Sequence, residues 1–262
     1  MRRILFIIIF MLTLVDINYG QTPVKRQTQK GTTSSPKISK STPKPYGSSA
    51  KSTAAKDGQR FVQDGVTYGV MSVIDKTLKL VKANKSVTHY QIPSQLKVNG
   101  VNYTVTSIEG HAFEGCSSLT SVTIPSSVTT IEGHAFEGCS SLTSVTIPGS
   151  VKTIGSGAFE GCGSLTSVTI PSSVTTIEDH AFSGCGSLTS VTIPSSVTTI
   201  KAYAFAGCSS LTSVTIPGSV MTIGERAFSI CRSLKSVTIP SSVKTIGEHA
   251  FPAGCRVIRV NP

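Results

Sequence analysis

Six cysteines, Cys116, Cys139, Cys162, Cys185, Cys208 and Cys231, recur every 23 residues, and Cys255 follows one place out of register. Thiols in an exported chain suggest disulfides, and thiols in C-x-x-C pairs suggest zinc. Neither chemistry suits this pattern. Equivalent positions of stacked repeats place neighbouring Cβ atoms about 4.8 Å apart on parallel vectors, whereas a bridge needs them ~3.8 Å apart and converging. No C-x-x-C pair occurs. The expectation is a column of reduced, buried thiols behaving as small hydrophobes.

Four histidines, His111, His134, His180 and His249, share the position before Ala-Phe, and Glu109 and Glu132 stand two residues before the first two. Imidazole with carboxylate is a ligand set for a divalent transition metal. The same position carries Gly157, Tyr203 and Arg226 in other copies, so the expectation is an exposed polar position and no metal. Serine is abundant, yet no G-x-S-x-G elbow, H-E-x-x-H helix or glycine-rich phosphate loop is present. Catalysis needs a few unlike groups held together. Near-identical copies supply none, since Ile108–Pro125 reads the same as Ile131–Pro148. Neither an enzyme nor a bound cofactor is expected.

A third set is more promising. Ser121 and Thr123, Ser144 and Thr146, Ser167 and Thr169, Ser190 and Thr192, Ser213 and Thr215, and Ser236 and Thr238 flank the Val of each Ser-Val-Thr. In an alternating strand these side chains leave on the face opposite the Val, forming a regular hydroxyl surface suited to hydrogen bonding with glycan or protein. These twelve residues are the candidate ligand-binding face. The competing possibility is that small β-favouring side chains only tile a solvated sheet.

The elements that hold these groups follow from the period. Phe113, Phe136, Phe159, Phe182, Phe205, Phe228 and Phe251 are 23 residues apart, each preceded by Ala. Six full repeats run over 108–245 and a truncated seventh over 246–262, with the pattern I-x-x-x-A-F-x-x-C-x-x-L-x-x-V-x-I-P-x-S-V-x-x. In Leu119–Pro125, Val122 and Ile124 alternate inward, and Pro125 removes a ladder donor and ends the strand. Ordering one repeat costs ~1.5 kcal/mol per residue, more than its few apolar side chains return at ~1.5–3 kcal/mol each, so only stacked copies are stable.

Before the repeats, 58–107 reads as a β cap. Asp64-Gly65 and Asn99-Gly100 favour two-residue hairpin turns. Tyr90-Gln-Ile-Pro-Ser94 matches the later Val-Thr-Ile-Pro-Ser, which makes this segment a degenerate repeat with a nine-residue insertion between Leu96 and Ile108. Residues 21–57 are a Lys/Ser/Thr/Pro mixture with little apolar content, expected to be a disordered linker. Residues 1–20 have Arg2 and Arg3, an apolar run over Ile4–Val15 and a small or polar end, the pattern of a secretory signal peptide. Twelve residues make only ~18 Å of helix, too short for a ~30 Å hydrocarbon core, so no transmembrane span is expected in the mature form.

The formal net charge of +11 invites a nucleic-acid reading until it is divided along the chain. Eight Lys or Arg and no acid lie in 21–56, while 57–262 carries 14 bases and 12 acids. The repeats are nearly neutral, and nucleic acid is not an expected partner. Within them, 109–180 has seven acids against Lys152 alone, whereas 181–262 has Glu225 and Glu248 against seven bases. Opposite ends of neighbouring molecules attract on this pattern, so weak head-to-tail self-association is an expectation.

The repeat resembles the BspA-like, or Treponema pallidum-type, leucine-rich repeat, whose 23-residue unit has the same AF-x-x-C-x-x-L-x-x-V-x-I-P signature. The resemblance covers 108–255 closely and 58–107 loosely. It implies a leucine-rich-repeat solenoid of the α/β horseshoe class, mostly β, with a parallel sheet on one face, short strands and turns on the other and little helix. It also implies a secreted or cell-surface protein that binds host matrix or microbial surface protein or glycan, as adhesins of this class do. A passive spacer or coat component without a ligand is the alternative.

Overall fold

The computed structural model describes residues 54–260. The expected signal segment 1–20 lies outside the described residues, as does the expected linker apart from 54–57. Those last residues are tied to the cap, where Asp57 Oδ1 accepts a hydrogen bond from Val73 N at 2.7 Å.

The cap holds six strands: β1 (Arg60–Gln63), β2 (Val66–Ser72), β3 (Thr77–Lys82), β4 (His89–Gln91), β5 (Gln95–Val98) and β6 (Val101–Ile108). β1, β2 and β3 run antiparallel, and β5 turns into β6. Both tight turns use left-handed backbone angles, at Asp64 and Gly65 (φ 51° and 75°) and at Asn99 and Gly100 (φ 50° and 84°). Such angles match the turn to the twist of its strands. β4 belongs to the repeats instead: it pairs in parallel with Ser121–Thr123.

Each repeat contributes one Ser-Val-Thr strand: β7 (Ser121–Thr123), β9 (Ser144–Thr146), β11 (Ser167–Thr169), β13 (Ser190–Thr192), β15 (Ser213–Thr215) and β17 (Ser236–Ile239). Each adds a shorter Thr-Ile strand: β8 (Thr130–Ile131), β10 (Thr153–Ile154), β12 (Thr176–Ile177), β14 (Thr199–Ile200), β16 (Thr222–Ile223) and β18 (Thr245–Ile246). β4, β7, β9, β11, β13 and β15 form one parallel sheet, and β19 (Arg256–Arg259) closes the stack against β17. The Thr-Ile strands stack in parallel on a second face. A third face is made of turns, whose backbones also bond rung to rung, as in Phe113 N to Ala135 O (2.7 Å) and Phe136 N to Ala158 O (2.8 Å). No helix occurs among the described residues.

The core is a set of columns along the axis. In the six full repeats Val, Ile, Ala, Phe, Cys and Leu are buried over the equivalent residue of the next, Val214 excepted, and the truncated seventh is half-buried at Ile246, Phe251 and Cys255. The seven phenylalanine rings stack with centroids 4.8–5.6 Å apart and nearly parallel planes. An offset stack of this kind adds about 0.5–1.5 kcal/mol per pair beyond burial. Tyr90 of the degenerate repeat packs on Phe113 and shares a 2.6 Å hydrogen bond with Tyr68, closing the first end.

All seven cysteines are free. Cys139, Cys162 and Cys185 donate to Phe113, Phe136 and Phe159 carbonyls at 3.2–3.3 Å, one repeat back. Burial in this column pushes the Cys162 thiol up to about 12, and Cys139 and Cys185 are raised by the same desolvation. These three thiols are therefore packing groups with weak S–H donors, not nucleophiles.

Candidate functional site

The Ser-Val-Thr sheet places the candidate residues in two straight rows. Ser121, Ser144 and Ser167 are in register, as are Ser190 and Ser213, and the threonines pair likewise from Thr123 to Thr215. Eleven of the twelve candidates are exposed, and Ser121 is half-buried. Val122, Val145, Val168 and Val191 between them are buried, so alternation sends the hydroxyls outward.

Neighbouring hydroxyls behave differently. Thr143 Oγ1 donates to Thr120 O (3.2 Å), Thr166 to Thr143 O (3.2 Å) and Thr212 to Thr189 O (3.1 Å), each linking adjacent repeats. The serine before the second Val of a repeat does the same on another edge: Ser150 donates to Val128 O (2.6 Å), Ser196 to Val174 O (2.6 Å) and Ser219 to Val197 O (2.7 Å). Ser173 bonds Val151 O in the same way. The twelve candidates make no side-chain hydrogen bond among the described residues. Their donors and acceptors all face solvent.

Three further residues belong to this face. His89 and Gln91 pair with Ser121 and Thr123, and Arg256 pairs with Ser236, so the serine row runs from an imidazole to a guanidinium. The match of Tyr90-Gln-Ile-Pro to Val-Thr-Ile-Pro was the signal for His89 and Gln91. Arg256 had none, because the last strand begins directly after Cys255, without the intervening residues of the other repeats. Between β15 and β17 the sheet ladder is interrupted, and a cleft of about 470 Å³ opens over Ser213, Thr215, Ser236 and Thr238, with Val237 and Val260 as apolar lining.

The turn face holds the histidine position. Its backbone is left-handed in all seven copies, at His111, His134, Gly157, His180, Tyr203, Arg226 and His249, with φ between 51° and 61°. Histidine is among the side chains enriched at that conformation. The turn brings each residue beside the one three later, so His111 lies 3.3 Å from Glu114 and His134 2.9 Å from Glu137. The carboxylates two residues earlier, Glu109 and Glu132, are engaged elsewhere. Glu109 binds Lys79 at 2.6 Å, and Glu132 accepts from Ser107 Oγ and Gly110 N.

Comparison with known proteins agrees with this architecture. The family described as "BspA type Leucine rich repeat region (6 copies)" matches residues 83–211 and 130–259. The chain belongs to the BspA-type leucine-rich-repeat family. Among solved structures, this BspA-type protein is similar to a leucine-rich-repeat protein of T. pallidum, with 28% identity and a TM-score of 0.61 over 75% of this chain and 92% of that one. It is also similar to a leucine-rich-repeat protein of Eubacterium ventriosum, with 30% identity and a TM-score of 0.64 over 75% of this chain and half of that one. No curated protein matches it. Fold and family are those of repeat proteins, in which function resides on a surface grafted onto the stack.

Proposed function

We propose that this BspA-type protein is an exported binding protein that recognises host matrix or microbial surface protein or glycan through its Ser/Thr sheet face, in adhesion or a related contact at the cell surface. One observation carries the reading. Hydroxyls on the sheet edges are engaged in holding repeats together, while the twelve between them, ten of them in register from β7 to β15, keep their hydrogen-bonding capacity open to solvent. Glycan and protein surfaces supply matching donors and acceptors, and the cleft beside Val237 and Val260 adds apolar contact for a sugar ring or an aromatic side chain. The nearly neutral repeats disfavour nucleic acid, whose affinity rests on phosphate neutralisation. The N-terminal pattern of Arg2, Arg3 and the apolar run after them supports export. No helix among the described residues is long and apolar enough to cross a membrane.

The test compares the chain with a Thr192→Lys/Thr215→Lys variant by surface plasmon resonance on a panel of purified matrix proteins and microbial polysaccharides. The reading requires at least one ligand whose affinity falls about tenfold or more in the variant, a loss of ~1.4 kcal/mol. Absence of binding to every member by the unaltered chain favours the passive spacer.

A further inference from the structure

On the turn face, one ligand atom from each of His134, Glu137 and Glu160 lies within 4.8 Å of the other two. His180 Nδ1 lies 3.7 Å from Glu160 Oε1. The fourth repeat has Ser183 where earlier copies have glutamate, so its own turn offers His180 no carboxylate. Glu160 therefore stands between two imidazoles. Gly157 makes this possible. It occupies the histidine position of the third repeat, and a Cβ there would fall 2.5 Å from His134 Nδ1 and 3.2 Å from Glu160 Oε2. The missing side chain leaves a space into which imidazole and carboxylate both lean.

The two imidazole nitrogens are the second observation. Nδ1 of His134 and Nδ1 of His180 are both buried and lack a hydrogen-bond partner. His134 Nδ1 is at hydrogen-bonding distance from Glu137, 2.9 Å, yet off the hydrogen-bonding direction. Positive charge among these carboxylates, carried by an imidazolium or by a bound cation, satisfies such a cluster.

We propose that this ledge binds one divalent transition-metal ion of the zinc class through His134, Glu137 and Glu160, with solvent completing the shell and His180 supporting Glu160 from the next repeat. Imidazole and carboxylate are the borderline-to-hard donors such an ion accepts. Ligand atoms around tetrahedral zinc stand about 3.3 Å apart, so the triad closes by ~1.5 Å or less, within reach of side-chain rotation. The neighbouring triad of His111, Glu114 and Glu137 is the poorer site: His111 and Glu114 are exposed, and the glycine gap is absent. The ledge lies off the Ser/Thr sheet, so the proposal does not depend on the binding role assigned to that face.

Zinc chloride is titrated into the full chain by calorimetry, and thermal unfolding is followed with and without zinc. The chain should take up one ion and gain thermal stability with it. Glu160→Gln and His134→Asn, the latter tolerant of a left-handed backbone, should each weaken binding at least about tenfold, the lower bound for losing even an outer-shell partner of a metal. Both should unfold like the unaltered chain in the absence of zinc. His111→Asn should leave affinity unchanged. No uptake by the unaltered chain at 1 mM zinc overturns the proposal. So does equal affinity in Glu160→Gln, which places the ion elsewhere, or loss of binding in His111→Asn, which places it in the other triad.

Discussion

Ile230 holds a left-handed backbone angle, φ 61°, where the other full repeats have Gly115, Gly138, Gly161, Gly184 and Gly207 at φ 64–73°. A β-branched side chain in that conformation costs about 1–2 kcal/mol, and Ile230 is 59% exposed, so burial returns little. Ile230→Gly is expected to raise stability by about 1 kcal/mol in urea unfolding, and a drop would show that packing outweighs strain there. The cysteines give a second residue-scale expectation. A thiol reagent should find Cys255 early, since it alone is only half-buried, and the other six after denaturation. Because folding raises the Cys139, Cys162 and Cys185 thiols above the ordinary 9.0, their contribution is complete below pH ~9 and is lost as pH climbs toward the folded values. Stability should hold to about pH 9 and then fall by up to ~1.4 kcal/mol per thiol per pH unit. A flat profile to pH 11 sinks the assignment.

Two hydroxyls of one repeat separate the roles of its elements. Ser196 ties its turn to Val174 O, whereas the Thr192 hydroxyl on the neighbouring strand makes no hydrogen bond among the described residues. Ser196→Ala should therefore cost about 1 kcal/mol, and Thr192→Ala less than about 0.5 kcal/mol. Equal losses in equilibrium unfolding contradict the division of the hydroxyls into structural and free. The phenylalanine column sets the larger scale. Phe182 is fully buried between Phe159 and Phe205, so Phe182→Ala should cost about 3–5 kcal/mol.

Across the molecule, parallel in-register stacking turns sequence position into position along the axis, and the acidic 109–180 and basic 181–262 become successive halves of the repeat stack, with the six bases and three acids of 57–108 ahead of the acidic half. Exposed charges farther apart than the Debye length of ~8 Å barely interact at physiological salt. The association expected from this polarity is therefore weak and confined to dilute buffer. Sedimentation at 10 mM salt should show oligomers that dissociate at 300 mM; a monomer at both means the polarity drives no assembly.

The period by itself determined the stacked fold, the inward Val, Ile, Phe and Cys columns and the outward Ser/Thr rows, because a repeat that cannot bury its apolar face alone leaves stacking as the stable arrangement. Register follows from the same cause: slipping by one residue would expose every Val. The tertiary structure decided what depends on backbone angles and unequal ends. Only the left-handed turn shows that His134 meets Glu137 and not Glu132, since sequence distance does not report side-chain direction where φ is positive. Only strand pairing brings Arg256 onto the serine row, after the repeat pattern has failed. Only hydrogen bonding separates Ser196 from Thr192, hydroxyls that composition alone cannot tell apart.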